Sequence, residues 1–177
     1  MMMFRKATEK DIAAILRIYE ATHEVEECGK LTIGWIRDVY PTNETAKMSL
    51  QRGDLFVGID DNIIFGTAII NQQQLDEYKN GHWDYMVDER EIMVLHTLVI
   101  DPMLAGKGYG KKFVGFYEEY AISQGCHYLR MDTQEKNKNA RMMYKKLGYK
   151  EIDIVPCKFF NGIDKVQLVL LEKKLLD

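Results

Sequence analysis

The stretch Asp101-Pro-Met-Leu-Ala-Gly-Lys-Gly-Tyr-Gly110 holds the residues whose chemistry is easiest to read. It follows an apolar segment, Ile92 to Ile100, and leads into an amphipathic one, so strand, glycine loop and helix come in that order. A junction of this kind aims unpaired backbone N–H groups and the positive end of a helix dipole at one spot, which suits a phosphate. Lys107, Lys111 and Lys112 crowd that end, where cations are unfavourable unless an anion neutralises them. Glycines also serve any tight strand-to-helix turn, so the loop alone leaves an anion site and a plain turn both open.

The elements that must position this loop follow from periodicity. Phe4 to Ala7 reads as a first strand, and Thr8 as the cap of a helix with Ile12, Ile15, Leu16 and Tyr19 on one face. That helix is expected to end near His23 or Val25. Trp35, Ile36 and Val39 suggest a second short helix ending before Pro41. Thr42 caps a further helix through Met48 and Leu50, closed by Gly53. Leu55–Ile59 and Ile63–Ile70 flank Asp60-Asp61-Asn62 and read as a hairpin.

The polar stretch 71–91 contains Tyr78, Trp83 and Tyr85 and is long for a compact domain, which makes it either functional or a mobile lid. Ile92–Ile100 is apolar enough for a central strand covered on both faces. Helix 108–123 is expected to bury Tyr109, Phe113, Phe116, Tyr117 and Tyr120. Cys126–Asp132 makes a strand, helix 138–147 puts Ala140, Met143, Tyr144 and Leu147 on one face, and Gly148 closes it. Strands near Tyr149–Val155 and Lys165–Leu171 complete a mixed α/β or α+β fold. Without repeats or Pro/Gly/Ser linkers, the 177 residues read as a single domain.

Composition narrows the function classes. Hydrophobic residues at 46% and charged residues at 29% are ordinary for a globular protein, and a net charge of −3 argues against a wholly basic nucleic-acid binder. Cys28, Cys126 and Cys157 are odd in number and widely spaced, which fits reduced thiols in the cytoplasm. His23, His82, His96 and His127 lack ligand spacing, so no metal is expected. The N-terminus has no apolar signal segment, and no apolar run has membrane-spanning length. Its repeated methionines leave the start codon open.

Two motifs taken together resemble the GCN5-related N-acetyltransferase superfamily. Leu98-Val-Ile-Asp-Pro…Ala105-Gly-Lys-Gly-Tyr-Gly110 looks like that family's acyl-CoA pyrophosphate loop. Asn137-Lys-Asn-Ala140-Arg-Met-Met-Tyr144-Lys-Lys-Leu-Gly148-Tyr149 looks like its second signature. The match is specific from Ile92 to Lys150 and topological before that. One departure is Ala105, where the family usually has Arg or Gln.

The resemblance implies a mixed, mostly antiparallel central sheet flanked by helices, and a cytoplasmic N-acetyltransferase that uses acetyl-CoA as cosubstrate without a metal. The acceptor would be a primary amine of a small molecule or an amino terminus, in a monomer or homodimer, with no nucleic acid or membrane partner. Backbone amides across Ala105, Gly106, Lys107, Gly108, Tyr109 and Gly110, with Lys111 close by, would hold the pyrophosphate. The pantetheine arm would lie along Leu98, Val99 and Ile100, pairing like an added strand. Asn137 would hydrogen-bond that arm, or would simply cap the helix behind it.

By the same resemblance Tyr144 would protonate the departing thiolate, although a Tyr on an apolar helix face is otherwise core. His96 matches a histidine position in arylalkylamine N-acetyltransferases and, at a two-residue period, shares a face with Val94 and Leu98. Imidazole is a base suited to neutral pH, yet a buried histidine bonded to backbone would look the same. The glutamate of histone-type members falls at Val94, and Glu91 is a second candidate base, acting through a water. Glu24, Glu26 and Glu27 would attract a cationic amine, or are a solvated charge run. Trp35, Tyr78 and Trp83 would shape an acceptor pocket or pack the core. A binding module of the same fold, sensing acyl-CoA without turnover, is the alternative. A nucleotide-binding loop fits poorly, because Lys111 is not followed by Ser or Thr.

Overall fold

Seven strands and four α-helices succeed one another in a computed structural model that describes residues 1–159 and 163–176. The strands form one mixed sheet in the order β1-β2-β3-β4-β5-β7-β6. Pairings β1–β2, β2–β3, β5–β7 and β6–β7 are antiparallel, and β4–β5 is parallel. The expected mixed α/β class, mostly antiparallel, is the one observed. The chain contacts itself as two compact units, and strand β4 (Ile92–Ile100) gives its first half to the second unit and the rest to the first.

The first unit comprises residues 1–31, 35–70 and 96–116. Its first strand, β1 (Met3–Lys6), leads through a 3-10 turn into α1 (Ile12–Glu27), which runs slightly beyond the expected end. Asp11 sets that entry: its Oδ2 accepts from the Thr8 N–H at 2.7 Å, and Arg5 clamps the carboxylate at 2.7 and 2.9 Å. The Arg5 guanidinium holds the Asp11 carboxyl down at about 2. Ile15, Ile18 and Tyr19 of α1 bury against Val57, Ile59 and Ile69 in one apolar cluster.

No second helix forms at Trp35–Val39. This segment is irregular with a single bridge, Ile36 to Tyr40, because its few apolar residues are followed too soon by Pro41 to nucleate a helix. Helix α2 (Asn43–Arg52) is capped by Thr42, whose hydroxyl accepts from the Thr45 N–H, and closes at Gly53 with φ +74°. β2 (Leu55–Asp60) and β3 (Ile63–Asn71) form the expected hairpin. Asp61 and Asn62 make its turn at φ +47° and +65°, the left-handed pair that matches strand twist.

The second unit comprises residues 32–34, 71–95 and 117–177. β5 (Tyr128–Gln134) starts and ends two residues later than expected and carries β7 (Ile163–Lys174) along its whole length. β6 (Lys150–Phe159) completes that edge. Helix α4 (Lys138–Lys146) ends at Gly148 with φ +88°. Tyr117, in the second half of α3 (Tyr109–Ser123), is fully buried and donates to the Met93 carbonyl at 2.6 Å. On α3, Phe113 and Tyr117 are fully buried, while Tyr109, Phe116 and Tyr120 are only half-buried.

The 71–91 segment is hydrogen-bonded to side chains of β5 and β7. Buried Arg130 on β5 donates to Gln74 Oε1 at 2.7 Å and to the Tyr85 carbonyl at 2.8 Å, and lies 4.0 Å over the Trp83 ring. Its partner Glu172 accepts from Arg130 Nε at 3.2 Å and from the Asp84 N–H at 3.0 Å. Burial lowers the guanidinium's pKa and raises the carboxylate's, so desolvation outweighs their mutual attraction on both sides. Among the described residues, no helix is long and apolar enough to cross a membrane, and no group of three or more His, Cys, Asp or Glu could hold a metal.

Candidate functional site

The glycine loop leaves β4 at Asp101. The Asp101 N–H donates to the Phe65 carbonyl at 2.8 Å, and its carboxylate accepts from the Met103 N–H at 3.0 Å, so the chain turns through Pro102–Leu104. Gly66 lets β4 come this close: a Cβ there would meet the Val99 carbonyl oxygen at 2.7 Å. Gly106 and Gly108 then adopt φ +80° and +76°, and a Cβ at either would meet nothing within 4 Å. Residues 105–108 are exposed.

The Gly108 carbonyl accepts the first bond of α3 from the Lys112 N–H at 3.2 Å. The N–H groups of residues 106–110 find no acceptor among the described residues. Five amides at the positive end of a 15-residue helix, beside exposed Lys107 and Lys111, form a cradle for an anion. Lys112 lies 5.3 Å over the Tyr109 ring. Tyr109 stacks on Phe65 at 4.2 Å and donates to Asp60 Oδ2 at 3.0 Å, tying the helix start to the β2–β3 hairpin.

Along β4, Val99 is buried while Leu98 and Ile100 are half-buried. Thr97 sits at φ +50°, a conformation that costs a β-branched residue strain and that clusters at functional positions. Its hydroxyl is hydrogen-bonded to the Tyr40 hydroxyl. A left-handed residue between His96 and Leu98 breaks strand alternation, so their spacing no longer places them on one face. His96 itself is half-exposed. Glu91 is exposed just before β4.

Glu27 is forked by Arg37 at 2.7 and 2.9 Å, and Arg37 also pairs with Glu20, so part of the acidic run has a cation of its own. Trp35 packs edge-on against Tyr40 at 6.0 Å.

In the second unit, Asn137 caps α4: its Oδ1 accepts from the Ala140 N–H at 3.3 Å. Tyr144 is buried on α4, edge-on to Tyr149 at 5.9 Å, and its hydroxyl has no hydrogen-bond partner among the described residues. Burial, and then the charge of Asp132, raise this phenol above its ordinary range, so it carries its proton at neutral pH.

Asp132 escaped the sequence reading. It is the first residue of β5 beyond the parallel register with β4, which runs from Ile92 opposite Tyr128 to Leu95 opposite Met131. Its Oδ2 accepts from the buried Tyr78 hydroxyl at 2.8 Å, and among the described residues no cation pairs with it and Oδ1 has no partner. Desolvation pushes the carboxyl up to about 6 despite the Tyr78 bond, with the Glu77 charge adding to the rise. Cys157 donates to Glu77 Oε1 at 3.3 Å, and burial followed by Glu77 pushes its thiol up to about 12. Nothing in local spacing marks Asp132, which stands in a strand that also carries Arg130, Thr133 and Gln134.

The model of the acetyltransferase (GNAT) family matches residues 12–149. The chain is 30% identical over 74 residues to the uncharacterized N-acetyltransferase MJ1207 of Methanocaldococcus jannaschii, covering 42% of this chain and 33% of that one. It is 28% identical over 71 residues to the thialysine N-ε-acetyltransferase of Bos taurus, covering 40% and 42%. These matches thus span well under half of each curated relative. Among solved structures, a GNAT-family acetyltransferase from Streptococcus agalactiae superposes with a TM-score of 0.82 at 25% identity, over 99% of this chain and 96% of that one. The structure of YncA from Salmonella typhimurium with its cofactor acetyl-CoA gives 0.71 at 18%, over 100% and 95%, a likeness of fold.

Proposed function

Since the chain belongs to the acetyltransferase (GNAT) family, we propose that it transfers an acetyl group from acetyl-CoA to a primary amine of a small molecule or amino terminus, by direct attack and within one N-acetyltransferase domain. The observation that carries this reading is the set of unpartnered amides at residues 106–110 on the positive end of α3. Open space beside Gly106 and Gly108 lets an anion approach the main chain, and Lys107 and Lys111 add charge. The cradle therefore fits a pyrophosphate, and Ala105 withholds nothing that backbone amides supply.

Acetyl-CoA supplies the thioester carbonyl that the amine attacks. In this reading the main chain of Leu98–Ile100 pairs with the pantetheine arm, and Asn137 hydrogen-bonds it while capping α4. Orientation of amine and carbonyl supplies much of the rate. His96 takes a proton from the incoming ammonium, with Glu91, acting through a water, as the second candidate. Tyr144 protonates the thiolate: its phenol is unengaged and holds its proton at neutral pH. A pure acyl-CoA sensor has no use for such an acid, which favours catalysis over binding alone.

Calorimetric titration with acetyl-CoA, with ATP and NAD as controls, tests the cosubstrate, and a screen of primary amines for CoA release tests turnover. Selective micromolar binding with amine-dependent release is expected. Binding without release from any amine would establish the sensor, and no binding to any acyl-CoA would overturn both.

A further inference from the structure

We propose that Arg17, on α1, is a further binding residue for the acyl donor, bringing a guanidinium to the pyrophosphate held by the amides of residues 106–110. This rests on the acetyl-transfer reading above and adds to it a side chain from another element of the same compact unit. Arg17 Nη2 lies 3.8 Å from Asp101 Oδ2, and Asp101 is the residue at which the glycine loop leaves β4. From there the chain coils tightly. The Asp101 carbonyl accepts from the Leu104 N–H at 2.8 Å, and the Pro102 carbonyl from the Ala105 N–H at 3.2 Å. Turns bonded at this spacing keep Ala105 close to Asp101. An arginine beside Asp101 therefore stands at the entry of the loop.

The surroundings of Arg17 suit an incoming anion. Its side chain is 64% exposed, and at 3.8 Å its contact with Asp101 is an ion pair without a hydrogen bond. Among the described residues it has no other partner, so the N–H donors of its guanidinium remain for another acceptor. One helical turn away on α1 stand Ala13, Ala14, Glu20 and Ala21. The alanines leave its stem unhindered, and the Glu20 carboxylate already pairs with Arg37. The Asp101 carboxylate is buried at the loop entry, where alone it would repel a pyrophosphate; a cation beside it offsets that charge. Ala105 is exposed and has no side-chain donor, while Lys107 and Lys111 are point charges. A planar guanidinium can engage two oxygens of one diphosphate, which an ammonium cannot match.

Calorimetry tests this with acetyl-CoA and with acetyl-dephospho-CoA, which keeps the pyrophosphate but lacks the ribose 3′-phosphate. The proteins compared are the parent, Arg17→Ala, Arg17→Lys and the double variant Arg17→Ala with Asp101→Asn. Arg17→Ala is expected to weaken both ligands about tenfold, the size of one charge-assisted contact, and to flatten the salt dependence of binding. Arg17→Lys should recover part of the loss, because a point charge replaces the fork. Asn at position 101 still offers an acceptor to the Met103 N–H and removes the repulsion, so the double variant should regain only part of the affinity. Folded Arg17→Ala with parental affinity would overturn the proposal. So would a loss confined to acetyl-CoA, which would assign Arg17 to the ribose phosphate. Full recovery in the double variant would also overturn it, leaving Arg17 as no more than the counter-ion of Asp101. Parent protein that binds neither ligand would instead defeat the acetyl-transfer reading, and the proposal with it.

Discussion

Asp132→Asn should make the protein more stable in mildly alkaline buffer and leave its stability nearly unchanged in acid. The folded carboxyl titrates at about 6 against 3.8 for an unperturbed aspartate, because burial disfavours its charge. The folded state therefore binds more protons than the unfolded chain between these values, and stability falls as pH rises through that window. Below it, both states are protonated and the residue costs nothing. Above it, the full cost is present. A rise of that size in the carboxyl's pKa corresponds to about 3 kcal/mol, at ~1.36 kcal/mol per tenfold change in proton affinity. Water at the half-exposed face cuts this to about half. Asn does not titrate, so it removes that cost while still accepting from Tyr78. For a chain of this size the gain is about 3–6 °C in Tm. Thermal melts of parent and variant at about pH 8 and pH 4 measure it, and comparison at equal pH cancels the other carboxylates. An equal Tm difference at both pH values, or a variant less stable at pH 8, would refute the reasoning.

Three other perturbations probe the remaining claims. Tyr144→Phe should lower kcat about a hundredfold or more with little change in acetyl-CoA affinity; steady-state kinetics beside calorimetry separate the two, and an unchanged kcat removes Tyr144 as the acid. Gly108→Ala meets no steric neighbour but must hold φ +76°, so denaturant unfolding should show a loss of about 1 kcal/mol, with weaker acetyl-CoA binding as the loop relaxes. Arg130→Met leaves Glu172 buried without its partner and should cost about 3–5 kcal/mol, whereas the double variant with Glu172→Leu should recover much of it. Chemical denaturation of the three proteins measures this, and an additive double variant would show that the pair is not coupled.

What the sequence determined is what depends on neighbours along the chain. The strand–glycine–helix junction, the Thr42 and Asn137 caps, the Asp61-Asn62 turn and the Gly53 and Gly148 closures rest on backbone geometry within a few residues, and these were legible. So were the glycine loop and Tyr144 as candidates, because each lies in a short motif of fixed spacing. The failure at Trp35–Val39 was also local: three apolar residues cannot nucleate a helix against a following proline. Tertiary structure alone decided the rest. Thr97 reads as an ordinary strand residue until its left-handed turn appears, and that turn undoes the face assigned to His96 and Leu98. The 71–91 segment reads from sequence as either functional or a mobile lid, and only folding shows Arg130, Glu172 and Lys150 bonded to it. Asp132 is joined to Tyr78, 54 residues away, and Glu77 to Cys157 across 80. A carboxylate's proton affinity depends on which groups surround it and how much water they exclude, and only folding brings those groups together.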